Sequence, residues 1–464
     1  MSKTLTPAAA PSTFSPSRGL IRILGVGFGL AVIVGSTIGI GVLRTPGLVA
    51  GQLPDRTAIL AVWIVGGLYT LVGAACLAEL GTMLPEAGGY YVYARRAFGD
   101  TAGFAVGWSD WLTYCSVLGY VSIAIAEFLA LLLPSLATFV RAIAIGVLLG
   151  FVVLQWAGLR VSSRFQEVAT ALKFFAFLIL VVACLALSGA ARPSFSPTSG
   201  SATFIGIVIA LQSVVITYGG WQSALYFTEE DRNPNRNLPR SMIGGVLAVA
   251  ATYLLVNLAL LSVLPIPDLA HSTLPAADAA RTILGGRGGQ LITVLSLISL
   301  PPLLNAIMMI GTRILFAMGR DGLFWARTAM INEAGTPGVA MLATTAVATA
   351  LIATGTFQKL VAMTSFFLAG NYCVACLALV VLRRREPEAL RPFRAWAYPW
   401  SAIIVLAGAF VFLVGVLVGD SANGAAAVGL VAVGLVGRAM VSSALARGTT
   451  VAVSKGPSEA GPYH

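Results

Sequence analysis

Gly35-Ser36-Thr37-Ile38-Gly39-Ile40-Gly41, followed by Arg44-Thr45-Pro46-Gly47, lies inside an apolar run from about residue 23 to 50. Three glycines in seven residues, next to a Ser-Thr pair, weaken a helix at the point where so long a run is halfway through a bilayer. Unwound backbone persists at that depth only where it lines a protein-enclosed cavity, because lipid offers no partner for free N–H and C=O groups. Close helix packing is the competing reading, since Gly35 and Gly39 have the small-xxx-small spacing of touching membrane helices. A second interruption tips the choice: Thr217-Tyr218-Gly219-Gly220-Trp221-Gln222 breaks the sixth apolar run. Runs one and six are corresponding members of two five-span halves, and paired interruptions at matching positions point to an inverted repeat with a midplane site.

Composition agrees. Of 464 residues 58% are hydrophobic and 10% charged, against roughly 25% charged in a soluble domain. The mean hydropathy of +0.89 is spread over stretches of about twenty residues, each able to cross roughly 30 Å of hydrocarbon. Twelve such runs are expected, near 23–50, 58–84, 104–133, 139–159, 167–189, 203–228, 240–264, 288–318, 337–355, 358–382, 398–419 and 423–445. The fold class is therefore all-α membrane protein. With the N-terminus in the cytoplasm, 21 of the 29 Lys and Arg residues fall on that side. Arg44, Arg56, Arg141, Arg192, Arg281, Arg287 and Lys359 fall opposite, and Lys173 lies inside a span. This asymmetry puts both termini in the cytoplasm of a cell (plasma) membrane protein. The expected organisation is a disordered tail over 1–22, five-helix repeats over 23–190 and 203–382, helices eleven and twelve over 398–445, and a tail over 446–464. All five cysteines lie in apolar stretches and read as packing residues, Cys373 and Cys376 included.

Two broken helices suit a zwitterion. Free N–H groups at the positive end of a half-helix attract a carboxylate, and free carbonyls at the other break accept from an ammonium. Neither break contains a charged side chain to pair with a charged side group, so neutral amino acids are the first expectation.

The chain resembles the amino acid-polyamine-organocation superfamily, and within it the L-type amino acid transporters and their bacterial relatives. The resemblance runs from about residue 22 to 400 and includes the Gly35 to Gly41 motif with Thr45-Pro46; Glu79-Leu80-Gly81-Thr82-Met83-Leu84-Pro85 with Gly88-Gly89-Tyr90; and Tyr218-Gly219-Gly220-Trp221 with Thr228-Glu229-Glu230. Asn233-Pro234, Asn237-Leu238-Pro239-Arg240, Arg313 with Gly319-Arg320-Asp321-Gly322, and Arg391-Pro392-Phe393 follow in order. It implies a leucine-transporter-type fold with two inverted five-helix repeats. Thr37, Ile40 and Gly41 would then offer N–H groups to the substrate carboxylate; Ile216, Thr217 and Gly219 would offer carbonyls to its ammonium. Asn371 would lie near the distal end of the substrate. Lys173 matches the intramembrane lysine of sodium-independent L-type relatives, an ammonium in place of a sodium ion, or a coupling group if it exchanges a proton. Two positions depart from the pattern. Ile40 stands where many relatives have Ser or Thr, and Ile216 where many have an aromatic lid.

Other intramembrane charges read as structural. Lys173 lies six residues after Glu167, roughly 9 Å along the helix, and the competing reading has its stem pack while its head reaches the interface. Glu79, Asp110 and Glu127 read as structural or interfacial, Arg313 as an anchor or loop partner, and the Glu229 to Arg240 loop as a solvated connection or part of an inner gate. A membrane-embedded enzyme is disfavoured because His271 and His464 lie outside the spans. A channel would show charged rings or repeated filter loops. The expectation is a permease for L-amino acids, by exchange or proton coupling, with polyamines or other organic cations as the alternative cargo. No cofactor, nucleic acid or disulfide-linked heavy chain is expected, since the loop between spans three and four has no cysteine.

Overall fold

A computed structural model describes residues 19–187, 202–354, 357–419 and 421–454. Residues 1–18 of the expected tail over 1–22, residues 455–464 of that over 446–464, and the connection at 188–201 lie outside the described residues. The order of helices is α1 (Val26–Thr37), α2 (Gly41–Ala50), α3 (Arg56–Met83), α4 (Tyr90–Phe98), α5 (Asp100–Leu132), α6 (Val140–Trp156), α7 (Leu159–Leu187) and α8 (Phe204–Thr217). Then come α9 (Pro234–Val263), α10 (Ile266–His271), α11 (Pro275–Leu284), α12 (Gly288–Arg320), α13 (Gly338–Thr354), α14 (Phe357–Arg385), α15 (Trp400–Gly419) and α16 (Ser421–Ser454).

Local chemistry sets several boundaries. The Asp55 carboxylate caps α3 by accepting from the Ala58 N–H at 2.8 Å, and Thr203 caps α8 through the Gly206 N–H at 3.0 Å. Gly99, at φ 88°, makes the left-handed turn between α4 and α5 that a side chain would strain. Among the described residues nine helices are long and apolar enough to cross a membrane, ten if α1 and α2, bent by 49°, count as one. The remaining two expected runs give the shorter apolar helices α8 and α13; α8 is short because it stops at the interruption predicted from its glycines. Helix α16 continues to Ser454, past residue 446 where composition ends the span.

α5 and α12 form the centre, packed on each other and on α14, α13 and α7. α1 and α3 pack on α9. Large apolar side chains on α6, α7, α15 and α16, such as Val153, Ile179, Phe410 and Val433, point outward, as they must where lipid is the solvent. The five cysteines are free.

Candidate functional site

The winding of the first run is lost at Ile38, whose backbone is extended (φ −74°, ψ 104°), and resumes at Gly41. The sixth run leaves the α-helix after Thr217, turns through Tyr218–Gln222 and continues as a 3₁₀ segment over Ser223–Glu230. The two breaks touch. The Ser36 hydroxyl is 2.8 Å from that of Ser223 and 3.0 Å from the Gly220 carbonyl, and the Thr45 and Thr217 hydroxyls are 2.7 Å apart. Tyr253 on α9 joins them: its buried hydroxyl is 2.8 Å from the Thr37 carbonyl and 2.9 Å from the Thr217 carbonyl.

Between the breaks lies a cavity of about 390 Å³. Thr37, Ile40, Gly41, Ile216, Thr217 and Gly219 all line it. The start of α2 leaves N–H groups without a partner four residues back, and Gly41, its first residue, lines this space; Leu43 donates its N–H to the Ile40 carbonyl at 3.0 Å. Of the carbonyls, Ile216 accepts from the N–H groups of Gly219, at 2.9 Å, and Tyr218; Thr217 faces the Tyr253 hydroxyl and retains a second lone pair. Ile216 is half-exposed to the cavity, so no ring closes over it.

Asn371 is not on the lining. It is buried, its Oδ1 accepting from the Ser109 hydroxyl at 3.0 Å and its Nδ2 donating to Asp110 at 3.3 Å. Arg44, counted from sequence among the outer charges, does line the cavity. Lys173 is fully buried, and its Nζ donates to the Gly35 carbonyl at 2.8 Å and to that of Ile38. These are carbonyls at the edge of the α1 break. About two turns before this lysine, α7 is joined to α12: Asn305 Nδ2 donates to Gln166 Oε1 at 2.9 Å. Gln166 and Thr170 in turn donate to the Ala31 carbonyl on α1.

Toward the N-terminal end of α1, buried contacts join α1, α12 and the 3₁₀ segment. The 3₁₀ segment ends at Glu230, whose carboxylate is held by Arg313 at 2.9 and 3.0 Å, both side chains buried. Ile23 and Leu24 donate their N–H groups to the Glu230 carbonyl, and Arg320 pairs with Glu229 at 2.7 Å. The loop from Glu229 is thus partly a buried seal. Glu79, also buried, binds Arg383, Arg391 and the Ala395 N–H. Asp110 accepts from the Tyr226 hydroxyl at 2.7 Å.

The sequence model described as amino acid permease matches residues 29–438. The chain belongs to the amino acid permease family. This permease is 29% identical to the serine/threonine exchanger SteT of Bacillus subtilis, over 87% of the chain and 93% of that protein. It is 26% identical to b(0,+)-type amino acid transporter 1 of Mus musculus, over 88% of the chain and 85% of that protein. It is 27% identical to large neutral amino acids transporter small subunit 2 of Homo sapiens, over 89% and 84%. The permease is an integral membrane transporter with a small-molecule substrate, not an enzyme.

The two breaks of the permease pack backbone on backbone at Gly220. This glycine has φ +119°, and a Cβ there would come within 2.8 Å of the Ser36 carbonyl carbon and oxygen. Both strain and clash fall on the junction of the two breaks. Gly220→Ala is expected to lower amino acid uptake about tenfold or more, at wild-type abundance in the membrane. Uptake per molecule within about twofold of wild type would show that the junction tolerates displacement.

Proposed function

We propose that this permease carries neutral L-amino acids across the cytoplasmic membrane by alternating access, without sodium, by exchange or proton coupling. Twelve spans would form two inverted five-helix repeats, residues 23–190 and 203–382, followed by helices eleven and twelve, with both termini in the cytoplasm. The observation that carries this reading is the pair of broken helices facing one cavity. Thr37, Ile40 and Gly41 hold the substrate carboxylate by backbone N–H groups, and Ile216, Thr217 and Gly219 hold its ammonium by carbonyls. The lysine ammonium at the α1 break stands where a sodium ion would otherwise bind the carbonyls. With the N-terminus inside, the cavity faces outward and the Arg313–Glu230 pair lies in the inner closure. The organic-cation alternative is disfavoured because Arg44 is the only charged side chain among the described lining residues.

The test is uptake of a labelled amino acid panel into proteoliposomes, with and without sodium, a pH gradient and internal substrate. Saturable uptake of neutral L-amino acids, indifferent to sodium and stimulated by internal substrate or an inward proton gradient, is the expected result. Uptake confined to polyamines, or dependent on sodium, would overturn the reading.

A further inference from the structure

Arg44 has a place in the site that charge counting misses. Ile40, Gly41, Arg44 and Leu48 are spaced by one, three and four residues and all line the cavity, so they form one face of α2. The opposite side fixes that face. Val42, Leu43 and Val49 are buried there, while Thr45, next to Arg44, also lines the cavity and meets Thr217 at 2.7 Å. A helical side chain leans toward the N-terminus of its helix and covers the turn before its own Cα. For Arg44 that turn is Ile40-Gly41, where α2 begins on the cavity lining with N–H groups that have no partner four residues back.

Two further observations point to an anion there. Thr37 lines the cavity, and its buried hydroxyl has no hydrogen-bond partner among the described residues. Arg44 is exposed to the cavity, and no carboxylate pairs with it among the described residues. A guanidinium part-way along a membrane-crossing helix is costly unless it meets water or a ligand, and such residues mark transport pathways. Ile40 supplies no hydroxyl, so Arg44 is the strongest side-chain donor beside this helix start.

We propose that Arg44 binds the α-carboxylate of the substrate, together with the N-terminus of α2 and the Thr37 hydroxyl. This rests on the amino acid reading above. A guanidinium engages a carboxylate through two parallel charge-assisted hydrogen bonds, which backbone N–H groups alone do not provide. The contact is to the part common to all amino acids. It therefore strengthens every substrate alike and rejects amines that lack a carboxylate.

The experiment measures KM for labelled L-alanine, L-serine and L-leucine in proteoliposomes containing wild type, Arg44→Ala or Arg44→Lys. Competition by the corresponding decarboxylated amines is measured alongside. Arg44→Ala is expected to raise KM about tenfold or more, by a similar factor for all three, with unchanged thermal stability. Arg44→Lys recovers part of the loss, because an ammonium cannot reproduce the bidentate pair. The wild-type preference for amino acid over amine narrows by the same factor in Arg44→Ala. An unchanged KM overturns the proposal, and so does a change in maximal rate alone or a rise for only one of the three substrates. Should Arg44→Ala fail to reach the membrane, Arg44→Gln, which keeps the stem, must show the same uniform rise. Wild-type protein that moves no amino acid defeats the amino acid reading itself; wild-type transport with an indifferent Arg44→Ala defeats only the role of Arg44.

Discussion

Lys173→Ala should reduce transport on the order of 100-fold while leaving a folded, extractable protein. Its ammonium donates to the carbonyls of Gly35 and Ile38, which border the break between α1 and α2. Each buried carbonyl that loses its donor costs about 1–3 kcal/mol, and each 1.4 kcal/mol is about a factor of ten. The cost falls on the geometry of the break more than on the whole fold. Gln166 and Thr170 still tie α7 to α1 through Ala31, and removing the lysine also removes an ammonium that is expensive to bury. Lys173→Met, which keeps the stem and loses the donors, should match alanine. Unchanged transport kinetics in either variant would remove this lysine from the mechanism, and recovery in Lys173→Met alone would reduce its part to packing.

Arg313→Ala should act on folding. Arg313 and Glu230 are both buried and joined by two hydrogen bonds, and a third runs from Arg313 to the Met309 carbonyl at 3.1 Å. Cutting one partner leaves a carboxylate without its cation in a dry site, about 3–5 kcal/mol for a buried pair. The expected result is a marked loss of thermal stability and of protein recovered from membranes. Removing both charges together, Arg313→Met with Glu230→Gln, should restore much of it, since the penalty comes from the unpaired charge. Wild-type melting of Arg313→Ala would show that the carboxylate finds another partner or water.

The elements that announce themselves in sequence are those whose cause is local. Glycines at 35, 39 and 41 and at 219 and 220 mark both helix breaks because a missing Cβ weakens winding wherever it occurs. A lone lysine at 173 in an apolar run is conspicuous for a similar reason. Partnerships across the chain are not legible in this way. Tyr253 reads as an ordinary aromatic of a buried helix, yet it sits between carbonyls 216 and 36 residues away. Glu79 finds Arg383 across 304 residues, and Asn305 finds Gln166 across 139; spacing rules carry no information over such separations. Asn371 shows the same limit from the other side, since the structure places it off the cavity lining. The family resemblance puts it near the distal end of the substrate, and in the structure Ser109 and Asp110 engage its amide. Arg44 was hidden by a charge count that sorts residues by loop and ignores which face of a helix they occupy.

The Tyr253 hydroxyl stands between two carbonyls but owns a single hydrogen. At any instant one of Thr37 and Thr217 receives it and the other does not. The unliganded centre is therefore one donor short by construction, and a ligand arriving with an ammonium supplies what the scaffold withholds. Affinity at such a centre comes from completing an unfinished set of bonds, so an empty carrier is primed for cargo without any fixed negative charge.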